Sequence, residues 1–154
     1  LVYEATYLDN VFHIILTPGL WAFNMLEAWT RGSVWTGTGK VLGDWEDLEP
    51  RNEYAHQITG AYYSARLGVL EHMDSMRRSG ACLIWRDIGP EYWAPVGVWL
   101  IRETVREAMK RTPRQFDSLK HAIDYVAPKI SAPGDLRNSW FVKRGRQTRL
   151  DSFA

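Results

Sequence analysis

Three groups of residues in this sequence carry side chains with the chemistry for a functional site. Tyr62, Tyr63 and Trp93 flank glycines and prolines, Arg66 lies among them, and Arg86, Arg102 and Arg106 follow along the chain. Aromatic rings interleaved with guanidinium groups stack the bases and contact the phosphates of single-stranded nucleic acid. The second group is the carboxylates Glu71, Asp87, Glu91 and Glu103, which, if gathered, would hold a divalent metal for a nucleic-acid-acting enzyme. The third is the C-terminal end, where Lys143, Arg144 and Arg146 precede Gln147-Thr148-Arg149-Leu150-Asp151-Ser152-Phe153-Ala154. In one 3₁₀ turn residues i and i+3 eclipse, so Leu150 and Phe153 would project as a single apolar plug, with Gln147 engaging backbone groups ahead of it.

Other constellations fail on spacing. His13, His56, His72 and His121 form no H-E-x-x-H or comparable zinc pattern. Cys82 is the single cysteine, so the chain holds no internal disulfide or Cys-based zinc cluster, and its apolar neighbours make it a small core residue. Gly37 and Gly39 lack the spacing of a phosphate loop, and the nucleophile elbow G-x-S-x-G is absent. The acidic run Asp44 to Glu49, ending at Pro50, reads as a solvated loop. No catalytic residue, cofactor or metal ligand is therefore assigned, and the enzyme reading stands as an alternative beside that of a pure protein-interaction domain.

The elements that must position these residues follow from periodicity. Residues 11–17 and 81–88 are short, β-branched and apolar on both faces, the pattern of adjacent buried strands. Leu20 to Trp29 and Ser33-Val34-Trp35 point to a further strand or hairpin. Apolar positions every three or four residues from Tyr54 to Met76 predict a helix capped by Asn52, with a break near Thr59-Gly60 as the alternative, ended by Arg77, Arg78 and Gly80. Val98 to Ala108 predicts a second helix, and Leu119 to Val126 a third, capped by Asp117 and stopped by Pro128. Trp21, Trp29, Trp35, Trp85 and Trp99 fall at core positions. The expected architecture is α+β, a small, mostly buried sheet backed by helices. Residues 1–10 are expected to be the end of a preceding linker or domain, 11–130 the packed domain, and 131–154 a flexible basic tail.

The 154 residues are 45% hydrophobic, enough for one domain with a real core. No apolar run approaches a membrane span. The net charge of +1 hides a gradient: residues 1–100 carry seven Lys/Arg against twelve Asp/Glu, and residues 101–154 carry twelve against six. Such asymmetry suits contact with nucleic acid or an acidic partner. The expected setting is intracellular, cytoplasmic and nucleoid-associated.

Two resemblances sharpen this reading. The terminal Q-x-x-L-x-x-F-A resembles the peptide box by which replication and repair proteins dock on the sliding clamp PCNA, with Gln147, Leu150 and Phe153 as contacts and Ala154 where that pattern carries a second aromatic. In the body, Pro18-Gly19-Leu20-Trp21-Ala22-Phe23, Leu26-Glu27-Ala28-Trp29, Gly60-Ala61-Tyr62-Tyr63-Ser64-Ala65-Arg66 and Tyr92-Trp93-Ala94-Pro95-Val96-Gly97-Val98-Trp99 resemble the C-terminal domain of the archaeal Nre DNA-repair proteins over most of residues 10–154. That resemblance implies a DNA-repair module that binds PCNA beside an N-terminal domain of the same protein, and the basic C-terminal third adds DNA as an expected partner. The resemblance supplies no active-site residue.

Overall fold

The computed structural model describes residues 1–30, 40–49, 51–93 and 96–151, the last six of them for the backbone only. Strands β1 (Val2–Tyr7), β2 (Asn10–Pro18), β3 (Ala22–Trp29) and β4 (Val41–Glu46) precede helix α1 (Thr59–Ser75) and strand β5 (Gly80–Ile88). Helices α2 (Trp99–Met109) and α3 (Leu119–Val126) follow, then a 3₁₀ turn at Ala127–Lys129, α4 (Pro133–Arg137) and α5 (Trp140–Asp151). The strands form one mixed sheet in the order β1-β2-β5-β3-β4. β3 and β5 run parallel and every other pair is antiparallel.

The sheet is central because β5 is buried along its whole length, which its apolar run Ala81 to Trp85 requires. Alternation along the strand divides the core in two. Cys82 and Ile84 face α1 and α2 together with Phe12, Ile14, Phe23 and Met25. Ala81, Leu83 and Trp85 face α3, α4 and the start of α5. The pairing of residues 11–17 with 81–87, expected from sequence, is present in register from Val11↔Asp87 to Thr17↔Ala81. Both cores together make an α+β fold with helices on each face.

Several local expectations are corrected. Residues 2–7 are not linker but an edge strand of this sheet, joined to β2 by Leu8 and Asp9 at φ 45° and 55°, the paired left-handed conformations of a tight hairpin turn. Asn52 caps nothing, and α1 begins at Thr59, at the break that its glycine allows. It ends through Arg77 at φ 52°, while Gly80 already belongs to β5, where its missing side chain admits the Thr17 carbonyl. Ser118, not Asp117, caps α3, accepting from the His121 amide at 3.2 Å. The packed body does not end at residue 130: Leu136, Phe141 and Val142 are buried against the sheet. Of the tryptophans expected in the core only Trp85 is fully buried; Trp21 and Trp29 are half-buried, Trp99 is exposed, and Trp35 lies outside the described residues. No helix among the described residues is long and apolar enough to cross a membrane.

Candidate functional site

The acidic run turns from a loop into the framework of a cleft. Asp44 and Glu46 sit two residues apart in β4, so both side chains face α1, and both are buried. Asp44 accepts hydrogen bonds from the His56, Gln57 and Ile58 amides at 3.2, 3.0 and 2.9 Å. That carboxylate holds the irregular segment 51–58 against the sheet and supplies the negative charge that the N-terminus of α1 favours. Glu46 accepts from the Trp21 indole at 2.9 Å and from Arg66 Nε at 2.6 Å through the same oxygen. Beside them a cleft of about 500 Å³ opens between Trp21, Arg51, Tyr54, Tyr63 and Arg66.

Its walls are aromatic and its floor is charged. The Tyr54 and Tyr63 rings lie 4.7 Å apart at 33°, and the Tyr63 hydroxyl accepts from the Ala55 amide at 3.0 Å. Arg66 lies 5.6 Å from the Trp21 ring and Arg51 lies 5.4 Å from the Tyr62 ring, both within cation–π reach. Tyr62 is itself fully buried, with its hydroxyl next to the Glu46 carboxylate. Burial and the nearby Glu46 carboxylate both push its pKa far above that of a free phenol, while Arg51 and Arg66 oppose them. The hydroxyl therefore ends among the three charged groups that line the cleft. Asp47 and Glu53 add carboxylates to the lining, so the potential at the cleft is not that of a phosphate site.

The other residues singled out from sequence are spread over the molecule. Tyr63 and Arg66 join the cleft, with Tyr62 beneath it. Arg86 is no free phosphate ligand: it is 4% exposed, pairs with Glu27 at 2.6 Å and donates twice to Asn10. Arg106 bridges Glu71 and Glu103, and Arg102 also meets Glu103 at 2.9 Å, an exposed network tying α1 to α2. Those contacts hold both carboxyls below the usual range. Asp87 lies on the other face, where it accepts from the Trp85 indole and the Ser131 hydroxyl, and Glu91 sits in the turn after β5, its amide bonded to Asp9. The four carboxylates of the enzyme alternative are thus not brought together, and no group of three or more potential His, Cys, Asp or Glu ligands occurs among the described residues.

Trp93 projects into solvent beyond β5, at 73% exposure. Trp140 stacks on Trp45 at 4.4 Å, Arg144 lies over Trp140, and Lys143 is exposed. The backbone continues α5 through residue 151, so Gln147 and Leu150 lie on a helix rather than in an extended tail. The side chains of Arg146, Gln147 and Leu150, and all of Phe153, lie outside the described residues. Sequence reasoning missed Trp21, Glu46, Arg51 and Tyr54. The available signal was the i, i+2 spacing of Asp44 and Glu46 after the apolar Val41-Leu42, a strand period.

A mixed sheet with helices on both faces, an aromatic and arginine-lined cleft and a basic C-terminal helix defines a small α+β module. Two family models match it: that of the archaeal Nre C-terminal region over residues 46–153, and that of the archaeal Nre N-terminal region over residues 1–36. The chain belongs to the archaeal Nre family. Curated relatives include the "DNA repair protein NreA" of Archaeoglobus fulgidus, 35% identical over 154 residues, and that of Haloferax volcanii, 34% identical over 158 residues; each match covers 99% of this chain. The "DNA repair protein NreB" of Archaeoglobus fulgidus is 36% identical over 148 residues, 94% of this chain. The chain spans 38% of the length of each of these relatives. No solved structure matches. The two family regions meet within one sheet: β5, from the C-terminal region, lies between β2 and β3, from the N-terminal region.

Proposed function

We propose that this chain is a module of a DNA-repair protein, recruited to DNA by docking its C-terminal peptide on the sliding clamp PCNA. The repair assignment is supported by the names of relatives that align over nearly the whole chain. The clamp assignment is carried by one observation, the sequence Gln147-Thr148-Arg149-Leu150-Asp151-Ser152-Phe153-Ala154, which begins five residues after Val142, the last buried side chain among the described residues. Gly145 intervenes and weakens the helix by about 1 kcal/mol relative to alanine, which eases the change from helix to a 3₁₀ plug on docking. Arg144, Arg146, Arg149 and the other cations of the basic C-terminal third add a salt-sensitive contact to the DNA that the clamp encircles.

Calorimetry of the whole chain against archaeal PCNA tests this reading. The expected dissociation constant is about 1 μM, near −8 kcal/mol, because ordering the plug opposes binding and Ala154 underfills one position. Leu150→Ala and Phe153→Ala should each weaken it by about 2 kcal/mol, and Ala154→Phe should tighten it. Unchanged binding in both alanine variants would remove the motif from the interaction.

A further inference from the structure

We infer that the outer edge of β1, where it faces α2, docks one extended segment of a partner protein, which adds a sixth strand to the sheet and carries an aromatic or large aliphatic side chain followed at strand spacing by a carboxylate. The inference is independent of the clamp reading, because this edge belongs to β1 and α2 and not to the C-terminal helix.

β1 and β4 are the two edges of the sheet. Edge strands expose backbone donors and acceptors that pair with any strand offered, and folded proteins cover them. β4 is covered: the Gly43 amide donates to the Gln57 side chain, and the Trp45 carbonyl accepts from Arg51. β1 is covered at its start, where Val2 exchanges both backbone bonds with Arg114 at 2.8 and 2.9 Å, an antiparallel bridge that forms the first rung of a further strand. Alternate residues of an antiparallel strand turn their backbone groups to opposite sides, so with Val2 turned outward Glu4 and Thr6 are turned outward too. The Glu4 carbonyl accepts from Arg111 at 3.1 Å. The Glu4 amide and both backbone groups of Thr6 have no partner among the described residues.

Beside these groups a groove of about 370 Å³ lies between the edge and α2. α2 runs antiparallel to β1, with Tyr7 beside Trp99 at one end and Glu4 beside Arg111 at the other. The Tyr7 and Trp99 rings are 6.5 Å apart and 45% and 44% exposed, a surface able to take one apolar side chain. Charge defines the other end. Glu103 is engaged by Arg102 and Arg106, and Glu107 by Lys110, whereas Arg111 meets no carboxylate among the described residues. The unneutralised charge of the groove is therefore positive, and a carboxylate on the incoming strand complements it. A strand that continues the antiparallel pattern of Val2 and Arg114 starts at Tyr7 and ends short of Val2, so its apolar side chain precedes its acidic one. β1 of a second copy is the competing occupant. Its one carboxylate, Glu4, is already engaged by His13, Tyr125 and Lys129.

The test is a ¹H–¹⁵N titration of the whole chain with three synthetic ten-residue peptides. The first alternates Thr and Val, with a Tyr and, four residues later, an Asp; the second has Lys in place of that Asp; the third is the first N-methylated through its centre. The acidic peptide should shift the Glu4 and Thr6 amides saturably and slow their exchange, the Lys peptide should bind about three- to tenfold more weakly, and the methylated one should be inert. Thr6→Pro removes an outward amide that β2 does not use, so the chain should stay folded and lose about tenfold or more in affinity. Arg111→Glu should weaken the acidic peptide and tighten the Lys peptide, an exchange of preference that loss of structure would not produce. Unmoved Glu4 and Thr6 amides, equal binding of the acidic and Lys peptides, or binding of the methylated peptide would overturn the inference. So would a dimer of the chain alone, seen by sedimentation and lost in Thr6→Pro, because the edge would then belong to a second copy.

Discussion

Removing the Asp44 carboxylate should destabilise the protein far more than removing that of Asp47 in the same run. Asp44 gathers the amides of three successive residues, 56, 57 and 58, from across the cleft. His56 and Gln57 are exposed and their amides can turn to water, so each lost bond costs about 0.5–1 kcal/mol. Ile58 is buried, and its amide left unpaired costs about 1–3 kcal/mol. Loss of negative charge at the N-terminus of α1 adds about 0.5 kcal/mol. Asp44→Ala should therefore cost about 2.5–5.5 kcal/mol, a fall in Tm of roughly 5–22 °C for a chain of this size. Asp44→Asn keeps an acceptor and should lose about half as much. Asp47→Ala, whose carboxylate accepts, among the described residues, from the Glu49 amide at 3.1 Å, should stay within about 0.5 kcal/mol of the parent. Urea unfolding gives the three values, and amide exchange shows whether 57 and 58 lose protection. Equal effects of Asp44→Ala and Asp47→Ala, or amides that stay protected in Asp44→Ala, would refute the reasoning.

Ile84→Ala, at the fully buried centre of β5, should cost about 2–5 kcal/mol by urea unfolding. A Cβ at Gly68 would meet Val105 Cγ1 at 2.9 Å, so Gly68→Ala should destabilise by about 1 kcal/mol or more despite its gain in helix propensity, and Val105→Ala in the same chain should recover part of the loss. His13 is buried between Glu4 and Trp85 in adjacent strands, with Glu4 Oε1 at 2.9 Å from Nδ1 and Lys129 and Asp87 nearby; burial lowers its pKa below the ordinary 6.5 against the pull of Glu4. Its contribution is therefore intact above pH 6.5 and lost as the pH falls through the lower folded value, so stability measured by urea should decline below pH 6.5 and His13→Gln should flatten that slope. Because β5 lies between β2 and β3, residues 40–154 alone should give an unfolded circular-dichroism spectrum, and adding residues 1–39 should restore structure.

Where a residue's type and its neighbours agree, the sequence is a good guide. Val11 to Thr17 and Ala81 to Ile88 are apolar on both faces, which only the middle of a sheet satisfies, and they are indeed paired there. The parallel pairing of β3 with β5 is not legible, because it brings together residues 50 or more positions apart and no local period records it. The cleft was half visible. Tyr63 and Arg66 are marked by their glycine-flanked, helical spacing, but Glu46 and Asp44 look like solvent-facing acids until three amides, an indole and a guanidinium close on them. Arg86 misleads for the same reason: its neighbours in sequence do not reveal that Glu27, 59 positions away, neutralises it. The basic segment after residue 130 looks unable to pack because its apolar residues are few, yet Leu136, Phe141 and Val142 fall on one side of two short helices and suffice to close the second core.

Recruitment to DNA through the clamp is tested most directly on a primed DNA circle carrying loaded PCNA, at a salt concentration where the chain alone no longer holds DNA. The chain should be retained on clamp-loaded DNA and lost from bare DNA, and the Leu150→Ala, Phe153→Ala double variant should be lost from both. Equal retention of parent and double variant, or retention that ignores the clamp, would contradict the account.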